Sequence, residues 1–151
     1  MRFFTFILLF FIGFSSFSQP SEASAKQMVQ EFFKAFHDQD SVKLKTFAFE
    51  KVQLKSIGKK ENGKMVVNTD SYEKFVSSIS SIPTEVNFEE RLGNLTVNTD
   101  GYLANVWMPY EFYINNELSH CGVNNFQLIY IDKAWKILSI VDTRKKQACK
   151  D

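Results

Sequence analysis

Glu111, His120, Cys121, Asp142, Tyr110 and Cys149 are the side chains in this chain whose types and spacing could do chemistry. His120 and Cys121 together suggest a thiolate nucleophile with its base. Neighbours on an extended strand point to opposite faces, however, so the two cannot form that pair directly. Glu111 with His120 is the better-placed dyad, a carboxylate that orients an imidazole for proton transfer, or else a salt-bridged pair on an outer or interface face. Asp142 lies two residues before Arg144, a spacing that suits a structural ion pair. Cys121 and Cys149 make an even pair, either two free thiols or a disulfide that closes the C-terminal tail onto a strand. The chain has two histidines, His37 and His120, and no clustered acids. No metal site is therefore expected, and no phosphate-binding glycine loop or other cofactor motif is present. Asn94-Leu95-Thr96 matches a glycosylation sequon, a pattern short enough to recur by chance.

The first eighteen residues read as an address. Arg2 gives a short positive start, Phe3 to Phe14 is an almost unbroken apolar run, and Ser16-Phe17-Ser18 places small residues at a signal-peptidase spacing. The run is about 12 residues, well short of the roughly 20 that span a bilayer, so cleavage before Gln19 and release outside the cytoplasm, periplasmic or secreted, are expected. Residues 19–151 are long enough for one domain with one core and too short for two. With Arg2 set aside, basic and acidic side chains balance at 17 each. A neutral chain gives no reason to expect nucleic acid or an anionic membrane as partner, and Lys59-Lys60 and Lys145-Lys146 read as solvated.

The elements that must position these residues come in the order helices, then sheet. Ser24 with Gln27 has capping spacing, and Met28, Val29, Phe32, Phe33 and Phe36 form one apolar stripe, which predicts a helix from Ser24 to His37. His37 is expected to be solvated near the helix end. Asp40 or Ser41 caps a short helical turn. Val52, Leu54 and Ser56 alternate with charged residues as a strand, and Met65 to Val67 returns. Asp70 with Glu73 caps a second helix carrying Tyr72, Phe75, Val76 and Ile79, which Pro83 stops. Val86 to Val97 reads as one long strand with Gly93 at a bulge, followed by a meander with turns at Asn115-Asn116 and Asp132-Lys133. The fold class is α+β, with N-terminal helices packed on a strongly curved antiparallel sheet.

Two-residue turns set a register in which Glu111 faces His120, Trp107 faces Asn124, Phe126 faces Ser139 and Leu128 faces Ile137. One face then carries Trp107, Phe126, Leu128, Trp135 and Ile137. The other carries Val106, Met108, Tyr110, Phe112, Cys121, Val123, Asn125, Gln127, Leu138, Ile140, Asp142 and Arg144. Both are largely apolar, so both are expected to be covered, the first by a second copy of the chain in a homodimer. The same register puts Cys121 near Arg144, from which the tail can bend back to bring Cys149 within bonding reach.

The order of elements, with Trp135-Lys136-Ile137 opening the last strand and Asp142-Thr143-Arg144 closing it, resembles the nuclear transport factor 2-like superfamily of cone-shaped α+β domains. Trp107 to Tyr113 and Ser119 to Gly122 are similar to a Trp-x-Pro-Tyr-x-Phe-Tyr then Ser-His-Cys-Gly pattern in exported bacterial members. The superfamily includes SnoaL-like cyclases, isomerases, hydrolases, dehydratases and members without chemistry, so the resemblance implies a fold more than an activity. It also implies that Leu138, Ile140 and Asp142 point into the cup, with Val123, Asn125 and Gln127 as cross-strand neighbours. Val106, Met108 and Tyr110 complete that wall. The expected function is binding of a small, mostly apolar molecule in the cup of an exported domain. One alternative is an isomerase, dehydratase or hydrolase with Asp142 as general base and Tyr110 as proton donor or orienter, although the inner face carries no second catalytic carboxylate or histidine. The other is a structural or partner-binding dimer.

Overall fold

The computed structural model describes residues 19–146 and 149, so the leader expected at Met1 to Ser18 lies outside the described residues. Helix α1 (Glu22–His37) has its cap three residues before the expected one. Ser21 is the N-cap and Ser24 its reciprocal partner, each side chain accepting the other's backbone N–H. The predicted stripe is the buried face, with Ala25 and Ala35 added to it. Helix α2 (Ser41–Thr46) is capped by Asp40, and α3 (Tyr72–Ser80) by Ser71, one residue after the expected cap. Gln39, at positive φ, donates its side-chain amide to the carbonyls of Ile79 and Ile82 and so ties the α1 end to the end of α3.

The sheet is built from β1 (Ala48–Lys59), β2 (Met65–Ser71), β3 (Phe88–Leu92), β4 (Thr96–Thr99), β5 (Leu103–Ile114), β6 (Glu117–Ile131) and β7 (Ala134–Arg144). The path is β2-β1-β7-β6-β5-β3, with β4 also on β5, and it stays open. One pairing departs from the all-antiparallel expectation, because β1 lies parallel to β7 and makes the sheet mixed. The strand expected from Val86 to Val97 is two, since the chain leaves the ladder at residues 93–95 and β3 and β4 pair with different stretches of β5.

Both predicted turns form, with Asn115, Asn116, Asp132 and Lys133 at positive φ as two-residue hairpins require. The register beyond them differs from expectation. Ile114 pairs with Glu117 and Tyr113 with Leu118, but Ser119 is then extra, so Phe112 faces His120 and Glu111 faces Cys121. Leu138 is a second extra residue, which puts Phe126 opposite Ile140. Each bulge adds one residue to one strand, and one residue exchanges the two faces of everything beyond it.

The correction unites two sets that were expected on opposite faces. Val106 and Met108 share the buried face with Phe126, Leu128, Trp135 and Ile137, all against α1 and its neighbours. Four of the five residues expected at a dimer interface are therefore core, and Trp135 donates its indole N–H to Ser24 Oγ at 2.9 Å. The fifth, Trp107, stays 46% exposed on the convex face. Cys121 and Cys149 form a disulfide. At a sequence separation of 28, it constrains the unfolded chain by about 3 to 4 kcal/mol in the loop-entropy picture.

Candidate functional site

A cavity of about 330 Å³ opens between the helices and the concave face of the sheet. Its apolar wall starts with the α1 stripe, because a helix that must bury one face against a curved sheet cannot follow the curve at the open end. Phe32 and Phe36 both stack on Phe75 of α3, and Phe126 of β6 meets Phe32 edge-on with ring centroids 5.2 Å apart. Phe112 and Ile140 continue the wall on the sheet side.

The polar groups of the cavity form two sets. Asp142 accepts hydrogen bonds from Ser56 Oγ, from Arg144 Nε at 2.9 Å and from Tyr110 Oη at 3.3 Å. The one Tyr110 hydroxyl proton is shared between Asp142 and the Thr143 carbonyl, the latter at 3.0 Å. Burial, with the Asp142 charge beside it, pushes the Tyr110 phenol far above its ordinary range, so it stays protonated and can only donate to an anion. Asp142 is thus an anchored carboxylate whose oxygens are already occupied.

Glu90 is the second set, and the sequence reading missed it. Its carboxylate accepts one bond, from Asn124 Nδ2 at 2.6 Å. Burial pushes its carboxyl up to about 7; Asp142 pushes the same way, while the Asn124 bond and the Arg144 charge oppose. Its backbone N–H donates to His37 Nε2 at 2.9 Å, so His37 is neutral with its proton on Nδ1 and is no solvated end group. Burial among Phe33, Phe36 and Phe88 lowers the His37 pKa, against the pull of Glu89 and Asp38. A signal for Glu90 existed: in β3 it alternates with Phe88 and Leu92, so an acid sits on the apolar side of a strand.

Of the expected pocket residues, Tyr110, Ile140 and Asp142 line the cavity. Val106 and Met108 lie beneath it, fully buried. The bulge at Ser119 turns Val123, Asn125 and Gln127 to the convex face, where Gln127 is exposed, and Leu138 is the extra residue of the β7 bulge. Glu111 and His120 do not face each other. Glu111 accepts a bond from the Tyr113 hydroxyl at 2.8 Å. His120 instead reaches the cavity mouth, stacked on Phe112 and edge-on to Tyr110, and burial with Arg144 nearby lowers its pKa. Among the described residues no group of three His, Cys, Asp or Glu side chains gathers to hold a metal.

Helices laid over a curved, open, mixed sheet, with a cup between them, define a cone-shaped α+β domain, and the chain has the nuclear transport factor 2-like fold. No protein-family model and no curated protein matches it. Among solved structures it is similar to a nuclear transport factor 2-like protein of unknown function from Silicibacter pomeroyi, with 17% identity and a TM-score of 0.58, covering 82% of this chain and 94% of that one. It is also similar to a nuclear transport factor 2-like protein from Cytophaga hutchinsonii, with 14% identity, a TM-score of 0.60 and coverages of 80% and 95%. A proposed scytalone dehydratase from Novosphingobium aromaticivorans matches with 12% identity, a TM-score of 0.62 and coverages of 85% and 87%. Likeness at these identities establishes the fold alone.

Proposed function

We propose that this domain binds a compact, mostly apolar molecule in its cup and that Glu90 is the group the ligand meets at the polar end. The observation that carries this reading is a carboxyl held near neutrality by burial, at the end of an otherwise phenylalanine-lined cavity. An apolar ligand excludes water from Glu90 and so favours its neutral form. Affinity for naphthylmethanol should therefore fall as pH rises through about 7 in the wild type, and Glu90→Gln should make it independent of pH. A wild-type affinity flat across that range overturns the role given to Glu90.

The same observation supports a second reading, proton-transfer chemistry of the isomerase, dehydratase or hydrolase kind. A general base works best with a pKa near the working pH, and Glu90 meets that condition while Asp142 has its oxygens occupied. Tyr110, held protonated, then orients the substrate through a hydrogen bond. In this case Glu90→Gln lowers turnover by about a hundredfold or more with substrate affinity little changed.

The domain is further proposed to be exported and to pair with a second copy. Support for export is the leader pattern, and mass measurement of the protein from its native host should find Gln19 at the N-terminus. A mature protein that keeps Met1 to Ser18 overturns it. Support for pairing is the convex face, where Trp107 and Leu103 stay exposed on β5. Trp107→Arg should move sedimentation from dimer to monomer, and a wild type that sediments as a monomer at high concentration rules the pairing out.

A further inference from the structure

Two lysine pairs that read as unrelated solvated residues in the sequence are brought together by the fold. Lys59 ends β1 and Lys60 follows it, while Lys145 and Lys146 follow β7. The parallel pairing of these two strands sets Gly58 beside Arg144, so both pairs emerge at one end of the sheet. There they line an open groove together with Arg144, and Glu61 is the one acid among its lining residues. No ion pair joins any of the four lysines to an acid among the described residues. A chain with equal numbers of acids and bases after its leader thus concentrates positive charge at one place.

The groove and the cup adjoin. Ser56, His120 and Arg144 line both, so the cationic groove is the mouth of the phenylalanine-lined cavity. Arg144 is already held by Asp142. The lysines are what remains to meet a ligand's charge. We infer that the ligand of the cup is an amphipathic anion, a small acid whose apolar body enters the cavity while its carboxylate stays at the mouth among Lys59, Lys60, Lys145 and Lys146. This inference rests on the reading of the cup as a ligand site. The lysines also steer such an anion toward the opening, an attraction that added salt screens.

Naphthoate and naphthylmethanol share an apolar body and differ in the charge of the head, and calorimetry at about pH 6 compares them with the naphthoate ionised. Naphthoate should bind roughly tenfold more tightly, and the advantage should shrink as salt is raised. The combined variant K59Q/K60Q/K145Q/K146Q should lose that advantage and bind naphthylmethanol as the wild type does, which also reports that the cup is intact. Equal affinities in the wild type, tighter naphthylmethanol binding, or an advantage that survives the variant each overturn the inference while leaving the cup as a ligand site. A wild type that binds neither probe overturns the cup reading itself, and this inference with it.

Discussion

Gly122→Ala is expected to cost about 3 kcal/mol or more and to lower the melting temperature by roughly 10 °C, one of the largest effects of any single methyl group in this chain. A Cβ on Gly122 would lie 1.7 Å from the Thr143 carbonyl oxygen and 2.7 Å from its carbon. Both are backbone atoms of the neighbouring strand, so no side chain can rotate away and the β6–β7 seam must open. The seam is already irregular there: the Val123 N–H bonds the Thr143 hydroxyl instead of a carbonyl, and Cys121 pairs with Lys145 just beyond. Tyr110 donates to that same Thr143 carbonyl, so displacement of the seam also loosens Asp142's surroundings. Thermal unfolding of the variant is the measurement. A melting temperature within a degree or two of wild type would show that the two strands lie further apart than described.

Glu90→Gln is expected to make the protein more stable above pH 7, by about 3 kcal/mol, and to change much less near pH 5. The folded-state pKa, about 7, lies above the ordinary 4.5, so between these values the folded chain holds a proton that the unfolded chain has lost. Stability from this group is therefore present at low pH and is lost as pH rises through that window. Glutamine keeps an oxygen for the Asn124 amide and removes the charge. His37 and His120 act in the opposite direction, because their lowered pKa values disfavour folding as pH falls, so the difference between variant and wild type isolates Glu90. Denaturant unfolding across pH 5 to 8 measures it. Parallel stability profiles for the two proteins would mean that Glu90 is solvated and ordinary.

The parts of this fold that were legible were those with local causes. The α1 stripe, the two hairpin turns and the stop before Pro83 depend on spacing and on residues that accept positive φ, and they appear where expected. The face assignments depend on counting residues away from a turn, and Ser119 and Leu138 each break the count without any residue type that announces a bulge. This is why Val123, Asn125 and Gln127 were assigned to the cup and Phe126 and Leu128 to an interface. Asp142 and Ile140 lie on the cavity side as the resemblance implies, beyond the bulge that displaces Leu138, and Tyr110 lies there as the face assignment of β5 has it. Glu90 and Asn124 were invisible as a pair because β3 and β6 do not neighbour each other in the sheet, and the curvature that brings their side chains together has no signature in either strand.

The pairing of β1 with β7 also fixes the order of events in making the molecule. The first strand to be synthesised has its parallel neighbour in the last, with Gly58 waiting for Arg144. Until residues near 144 have left the ribosome, the helices have no complete surface to cover and the centre of the sheet is missing. Contacts of such long sequence separation make folding slow and dependent on the whole chain, so a nascent or truncated product ending before β7 stays open. The first and last strands form the keystone seam, and the polypeptide remains threadable until β7 has been made.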